Sequence, residues 1–149
     1  MNKFKFTTIL FILLFSSCGF TPIYLNKNDV KFSIEQVNYS GDRDLNNFLK
    51  INLDQYKNEK IDNKFSIDAK STYKKIILSK DGTGKVTNYQ LEAEVIFLIK
   101  SIDKEIKIIE KKIIDAMDDK FEEARHERTI KQSFASSITN KLTSELITN

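Results

Sequence analysis

The sequence predicts an α+β domain with helices packed on one face of a sheet. Two long segments alternate apolar and polar side chains, the pattern of half-buried strands, and a glycine-containing turn joins them. Two further segments repeat apolar side chains every three or four residues, the pattern of amphipathic helices. In the 149-residue chain these segments follow the order strand, helix, strand, strand, an ambiguous element and helix.

The first 17 residues have the features of a secretory signal peptide. Lys3 and Lys5 precede an apolar run at positions 6–15, and two serines follow it. The run is too short to span a bilayer, which takes about 20 residues. We therefore expect residues 1–17 to be removed from the mature protein.

Cys18 is the only cysteine and directly follows Ser16 and Ser17. This arrangement resembles the bacterial lipobox, in which the cysteine is acylated, with palmitate for example, and becomes the first mature residue. Phe15 departs from that motif, which more often has leucine there. The alternative is an ordinary signal peptide with a cysteine nearby, but a lone secreted thiol would then be unexplained. We interpret Cys18 as the lipidation site and the membrane anchor.

Residues 18–29 are predicted to be an extended tether. Pro22, the only proline, lacks a backbone donor and disfavours helix at Thr21. The following residues, 26–29, are all polar. The roughly 130 residues left after the signal peptide suit one domain, which we place at residues 30–149.

The charge balance excludes a typical nucleic-acid-binding protein. The chain has 24 basic and 21 acidic residues, and two of the lysines belong to the signal peptide. Nucleic-acid binding would require a clustered basic excess. Lysine greatly outnumbers arginine. Because this bias can come from codon composition, a cluster of lysines is weak evidence for a function.

The domain begins with a predicted strand and a short helix. Residues 30–37 alternate, with Ser33 and Glu35 on the polar side, and a turn follows at residues 40–42. Asp42 or Asp44 is expected to cap the helix. The apolar stripe of that helix comprises Leu45, Phe48, Leu49, Leu53 and Tyr56.

A long hairpin is predicted next. Its first strand alternates from Phe65 to Tyr73 and continues through the apolar residues 76–78, and residues 80–85 supply the turn. The return strand runs from Val86 to Ile99, or roughly 45 Å at about 3.3 Å per residue. One face of it carries Tyr89, Leu91, Ala93, Val95, Phe97 and Ile99.

The segment from Ile102 to Ile114 is ambiguous, because its isoleucines fit helical spacing while its β-branched content suits a strand. From about Phe121 the pattern is helical for roughly 27 residues. Ala124 and Ala135 lie close to its apolar stripe, and Lys131 lies opposite. The stripe itself comprises Ile130, Phe134, Ile138, Leu142 and Leu146.

No set of residues predicts catalysis, a metal or a cofactor. His126 is the only histidine and lies in a charged helical stretch, where we expect it to be solvated. The acidic pairs at 118–119 and 122–123 are explained by helix-end electrostatics. Residues 82–84 lack the Gly-Lys-Ser pattern of a phosphate loop and suit a hairpin tip. We therefore expect a protein that is not an enzyme.

Four lysines near the first hairpin could meet anionic phosphates: Lys74, Lys75, Lys80 and Lys85. A solvated scatter of lysines is the simpler explanation, because the composition is rich in lysine. Among them, Lys80 and Lys85 at the hairpin tip are the candidates for a phosphate contact, because lysine can act as a point-charge phosphate partner.

Residues 18–24, Cys-Gly-Phe-Thr-Pro-Ile-Tyr, are similar to an opening motif Cys-Gly-Phe-x-Pro-Leu-Tyr, with Ile23 in place of leucine. That motif is common in the lipopolysaccharide-assembly lipoprotein LptE family in its alphaproteobacterial form, which the chain as a whole resembles. The order of elements and the segments around Asp115-Ala116 and Phe134-Ala135 also resemble the family. The resemblance implies a four-stranded, mostly antiparallel sheet of order β-α-β-β-β-α with residues 105–114 as the fourth strand.

The resemblance also implies an outer-membrane adaptor. LptE proteins partner the β-barrel LptD, lie largely within its lumen, assist its assembly and bind lipopolysaccharide. Lys80 and Lys85 become candidate lipopolysaccharide contacts, and Gly19 is consistent with sorting to the outer membrane. The domain would then lie on the periplasmic side or inside the barrel. The alternative is a lipoprotein that binds or carries a lipid without a barrel, which would need an apolar cavity.

Overall fold

A computed structural model describes residues 32–148. The predicted signal peptide, Cys18 and the tether lie outside these residues. The described residues form four strands and two helices in the predicted order. Their bounds are β1 Ser33–Gly41, α1 Arg43–Asp54, β2 Lys64–Lys80, β3 Val86–Ile99, β4 Lys104–Asp115 and α2 Lys120–Ile147.

The four strands form one mixed sheet in the order β1-β2-β3-β4. β1 pairs in parallel with β2, and the other two pairings are antiparallel. A parallel pair needs a crossover between its strands, and α1 lies in that crossover. The mostly antiparallel sheet is therefore confirmed, and β1 and β4 are its two edges.

The long hairpin of β2 and β3 is the centre of the sheet. β3 has the predicted bounds, and five of its odd-numbered residues are fully buried: Leu91, Ala93, Val95, Phe97 and Ile99. These side chains face the helices, which pack on one face of the sheet and contact each other. We call the opposite, uncovered side the outer face.

The ambiguous segment forms the edge strand β4. Ile106, Ile108 and Ile114 point into the core, whereas Ile109 and Ile113 are 40% and 62% exposed. The strand interpretation is thus confirmed and the helical one is wrong. Continuous pairing with β3 from Asp115 to Lys104 fixes this alternation.

α2 buries its predicted stripe, whereas α1 buries only Leu45, Leu49 and Leu53 of its own. Phe48 is half-buried, and Tyr56 lies past the end of α1 at Asp54. Asp42 caps α1 by accepting a hydrogen bond from the Leu45 N–H at 2.8 Å. On α2, Ala135 is buried as predicted, but Ala124 is exposed. All five apolar residues predicted for the α2 stripe are at most 5% exposed: Ile130, Phe134, Ile138, Leu142 and Leu146.

β1 departs from its predicted alternation. Ser33 is buried rather than exposed, and its hydroxyl accepts a hydrogen bond from the Asn58 N–H at 2.8 Å. The register with β2 shifts between Ile34 and Gln36, so that Glu35 is an extra residue in β1. A bulge of this kind changes which side chains face inward, which strict alternation does not predict.

Candidate functional site

The turn of the long hairpin is organised by one carboxylate. Asp81 Oδ1 accepts hydrogen bonds from the Thr83 N–H at 2.8 Å, the Thr83 hydroxyl at 2.7 Å and the Lys85 N–H at 3.0 Å. These bonds, led by those from Thr83, hold the pKa of Asp81 below its usual value. Gly84 adopts a φ of +87°, which favours glycine. The tip is therefore a fixed turn.

The two candidate lysines of the tip lie in different electrostatic settings. Lys85 Nζ is 2.5 Å from Asp118 Oδ1, between β4 and α2, and this hydrogen bond raises the pKa of Lys85 and lowers that of Asp118. Lys80 is exposed and has no ion pair with another described residue. Of the two lysines, Lys80 is therefore the one whose positive charge is not balanced by a carboxylate of the described residues.

The lysine cluster predicted near the hairpin is divided between the two faces of the sheet. Lys74 lies on the outer face, where its register partner is Glu92. Lys75 points the other way, towards α2. Adjacent residues in a strand always diverge in this manner, so the four lysines form no single basic site.

Lys75 is the centre of a partly buried ionic cluster. Its Nζ lies 2.9 Å from Glu123 Oε1 and 3.0 Å from Glu127 Oε2, and 4.3 Å from the centre of the Tyr89 ring. Glu123 Oε2 also accepts the Met117 N–H at 3.0 Å. The cluster thereby joins β2 to the first turns of α2.

The carboxylate of Glu123 is strongly stabilised in its charged form. Its side chain is 6% exposed, and the hydrogen bonds from Lys75 and the Met117 N–H lower its pKa to about 2. Burial opposes charge on Lys75, but hydrogen bonds to Glu123 and Glu127 raise its pKa overall. The predicted role of Glu123 in helix-end electrostatics therefore omits its main contacts.

A second cation lies beside this cluster. Lys131 Nζ is 4.0 Å from the centre of the Tyr73 ring and 3.8 Å from Asp42 Oδ2, and its side chain is only 13% exposed. Burial and the nearby Glu127 carboxylate raise the pKa of Tyr73. Lys131, predicted to lie opposite the core, instead connects α2 to the start of α1.

The hairpin end of the sheet exposes apolar side chains. β1 pairs with β2 only as far as Ser71, so the rest of β2 has no strand on that side among the described residues. The sequence pattern predicts residues 76–78 only as an extension of the strand. The short predicted first strand, residues 30–37, is the signal that this part of β2 lacks a neighbouring strand. The apolar side chains at this end lie on both faces of the sheet: Ile76 and Ile113 lie on the outer face, on either side of Gln90, and Ile77 lies on the face of α2. We call the exposed apolar side chains at this end the distal patch: Ile76, Ile77, Leu78, Ile113 and Phe121, which are 39–75% exposed.

A groove of about 760 Å³ runs between β4 and α2 and is open to solvent. Ile106 and Ile108 contribute buried apolar surface to it, and Ser133, Ser136 and Asn140 line it from α2. We call it the β4–α2 groove. Nothing in the sequence pattern indicated it.

The remaining sequence candidate within residues 32–148 is His126. His126 is half-buried rather than fully solvated. Within residues 32–148, no three His, Cys, Asp or Glu residues are placed to hold a metal. The helices of the same range are also not long and apolar enough to cross a membrane. Cys18 lies outside the described residues, so its acylation stays a prediction.

Comparison with known proteins identifies the fold. No protein-family model matches the chain, and no curated protein matches it in sequence. Rare lipoprotein B from Shewanella oneidensis is similar in structure, with a TM-score of 0.53 and 14% identity over 74% of this chain and 92% of that one.

Two further lipoproteins have the same fold. Lipoprotein B from Nitrosomonas europaea has a TM-score of 0.55 and 15% identity, covering 79% of this chain and 86% of that one. A minor lipoprotein from Acinetobacter baumannii has a TM-score of 0.51 and 15% identity, covering 75% and 94%. The chain therefore has the fold of these bacterial lipoproteins.

Proposed function

We propose that this chain is a lipid-anchored adaptor of the outer membrane, resembling LptE, that partners an LptD-like β-barrel in lipopolysaccharide transport and assembly. The observation that carries the proposal is the combination of a lipobox-like Cys18 with a domain whose fold is that of bacterial lipoproteins. The proposed role is one of binding, without catalysis.

The outer face of the sheet supports the proposed barrel partner. Glu92 and Glu94 of β3 form ion pairs with Lys111 and Lys107 of β4 at 2.9 and 2.8 Å. Ile109, which is 40% exposed, lies between Lys107 and Lys111 on the same face. Protein interfaces commonly combine apolar and polar groups in this way, and the lumen of a large barrel is wide enough for a folded domain.

The hairpin end supports the proposed lipopolysaccharide contact. Lipopolysaccharide is an amphiphile that carries phosphates beside acyl chains. The distal patch offers apolar side chains, and the exposed Lys80 on the same hairpin offers a point charge suited to phosphate. Lys85 contributes less, because Asp118 already compensates its charge.

The second candidate function is a lipid carrier that works without a barrel. The β4–α2 groove is the observation in its favour, because its volume is in the range of ligand sites, about 300–1,000 Å³. An acyl-chain carrier is expected to enclose its ligand in an apolar cavity. The groove is open and lined by serine and asparagine on one side, so we favour the adaptor.

Depletion of the protein in its own cells tests the adaptor role. We expect less correctly assembled barrel and lipopolysaccharide retained short of the cell surface, measured by immunoblotting and surface labelling. Affinity purification from outer membranes should recover the barrel in stoichiometric amount. Normal barrel levels together with normal surface lipopolysaccharide after full depletion would contradict the proposal.

A further inference from the structure

The direction of the free hydrogen-bonding groups of β4 follows from its pairing. Ala116 donates its N–H to the Thr87 carbonyl at 2.8 Å, and the register with β3 continues without a shift to Lys104. In an antiparallel ladder, residues bond to the partner strand and point away from it alternately. The N–H and C=O groups of the odd-numbered residues, including Lys107 and Ile109, therefore point away from β3. No other strand in residues 32–148 pairs with them.

The β4–α2 groove lies along this edge. Lys107 and Ile109 line it together with the inward-facing Ile106 and Ile108. A segment lying there would meet main-chain groups on one side and the polar residues of α2 on the other. Strand addition beside a helix uses this geometry, with main-chain bonds for affinity and alternate side chains in pockets for specificity.

The charges around the groove select an uncharged occupant. Each lysine near it has a carboxylate of the same domain: Lys107 with Glu94 at 2.8 Å, Lys141 with Glu110 at 2.6 Å, and Lys104 with Glu145 at 3.2 Å. An anionic ligand would have to displace these carboxylates. Within residues 32–148, no strand pairs with the outward main-chain groups of Lys107 and Ile109, which an extended polypeptide complements.

We propose that the β4–α2 groove binds an extended, uncharged segment of a partner protein, which adds to the sheet as a fifth strand beside β4. The apolar side chains of that segment contact Ile106 and Ile108, and its polar side chains face Ser133, Ser136 and Asn140. This site is on the opposite edge of the sheet from β1 and does not depend on the adaptor role.

The test uses the full chain as the cell produces it and a defined probe. The probe is an end-capped, uncharged peptide of about seven residues that alternates valine and threonine, close to the usual length of a strand. Amide hydrogen exchange is followed by NMR while the peptide is titrated. We expect exchange at Lys107 and Ile109 to slow on binding, and exchange at Lys70, on the outer face of β2, to stay unchanged.

Two proline variants provide matched changes on the same strand. Proline is tolerated on an edge where the N–H points to solvent, so both Ile109→Pro and Ile113→Pro should fold. Ile109→Pro removes a donor within the groove, and we expect it to raise the Kd by about three- to tenfold, the effect of one lost hydrogen bond. Ile113→Pro removes an equivalent donor beyond the groove and should leave the Kd within about twofold.

A variant on the α2 side of the groove tests the proposal if Ile109→Pro does not fold. Ser136 is exposed, so Ser136→Phe should fold while narrowing the groove, and weaker peptide binding is expected. Equal effects of the two prolines, or no slowing of exchange at millimolar peptide, would overturn the proposal.

Other occupants give distinguishable results. Slow exchange at Lys107 and Ile109 before peptide is added would mean that the edge is already covered. Sedimentation would then identify the occupant: a dimer indicates a second copy of the chain, and a monomer indicates residues 18–31. Laurate that shifts the methyl signals of Ile106 and Ile108 and displaces the peptide would indicate a lipid site instead. Each of these results would overturn the proposal.

Discussion

Gly41 ends β1 where the chain turns into α1. Its φ is +97°, and an added Cβ would lie within 1.8 Å of the Ser71 carbonyl oxygen. Gly41→Ala therefore combines a strained backbone with a clash against β2. We expect it to lower the free energy of unfolding by about 1–3 kcal/mol or more, measured by urea denaturation.

Gly82 provides the matched control, because an added Cβ there has open space around it. Gly82→Ala should change the free energy of unfolding by less than about 0.5 kcal/mol. Equal stability of the two variants would contradict the claim that a Cβ at Gly41 clashes with Ser71 of β2.

The lowered pKa of Glu123 predicts how the stability of the protein depends on pH. Its pKa is about 2 in the folded protein and near 4.5 when unfolded, so the folded state binds this proton only at lower pH. Its contribution is therefore complete above about pH 4.5 and is lost as the pH falls towards 2. In Glu123→Gln, the free energy of unfolding should vary less between pH 4.5 and 2 than in the wild type. The difference should be on the order of 2 kcal/mol.

The control for that profile is Glu122→Gln. Glu122 is also in the first turn of α2, but its side chain is 54% exposed. Unfolding followed at several pH values between 2 and 5 should show the full wild-type loss of stability in this control. A wild-type-like slope in Glu123→Gln would show that the bonds to Lys75 and Met117 contribute little.

At the scale of elements, α2 contributes to the core through one stripe. Phe134 is 5% exposed, and replacing a buried phenylalanine by alanine costs about 3–5 kcal/mol. Phe134→Ala should thus lower the melting temperature by many degrees, measured by circular dichroism. Gln132 is exposed, so Gln132→Ala should have little effect. Lys131 is unsuitable as that control, because it contacts Tyr73 and Asp42.

The hairpin tip carries the prediction for lipopolysaccharide. Lys80→Glu combined with Lys85→Glu reverses both charges and places a second carboxylate beside Asp118, so binding of purified lipopolysaccharide should weaken by roughly tenfold. The barrel should still be retained. Lys60→Glu with Lys64→Glu makes the same charge change at the other end of β2. Equal weakening by both pairs would reflect net charge and remove the tip as a site.

For the molecule as a whole, we predict that acylation of Cys18 holds the domain at the membrane. Cys18→Ala should abolish the acyl mass on the mature N-terminus and move the protein out of the membrane fraction, because stable anchoring relies on the acyl chains. Ser17→Ala keeps a small residue before the cysteine and should be processed normally. A free thiol at Cys18 of the wild-type protein, seen by mass spectrometry, would exclude lipidation.

The sequence by itself determined the type and order of most elements. Strand and helix repeats are local properties, so the bounds of β3, the stripe of α2 and the Asp42 cap could all be predicted from neighbouring residues. The lipobox-like segment is also local. Each of these patterns lies within one continuous segment of the chain.

Only the tertiary structure decided which surfaces are covered. Pairing with β3 made β4 a strand, the short β1 left residues 76–78 exposed, and α2 brought Glu123 to Lys75 across 48 positions of sequence. The β4–α2 groove likewise exists only between two separate elements. Such contacts depend on where distant segments meet, and the periodicity of a single segment carries no information about its neighbours in space.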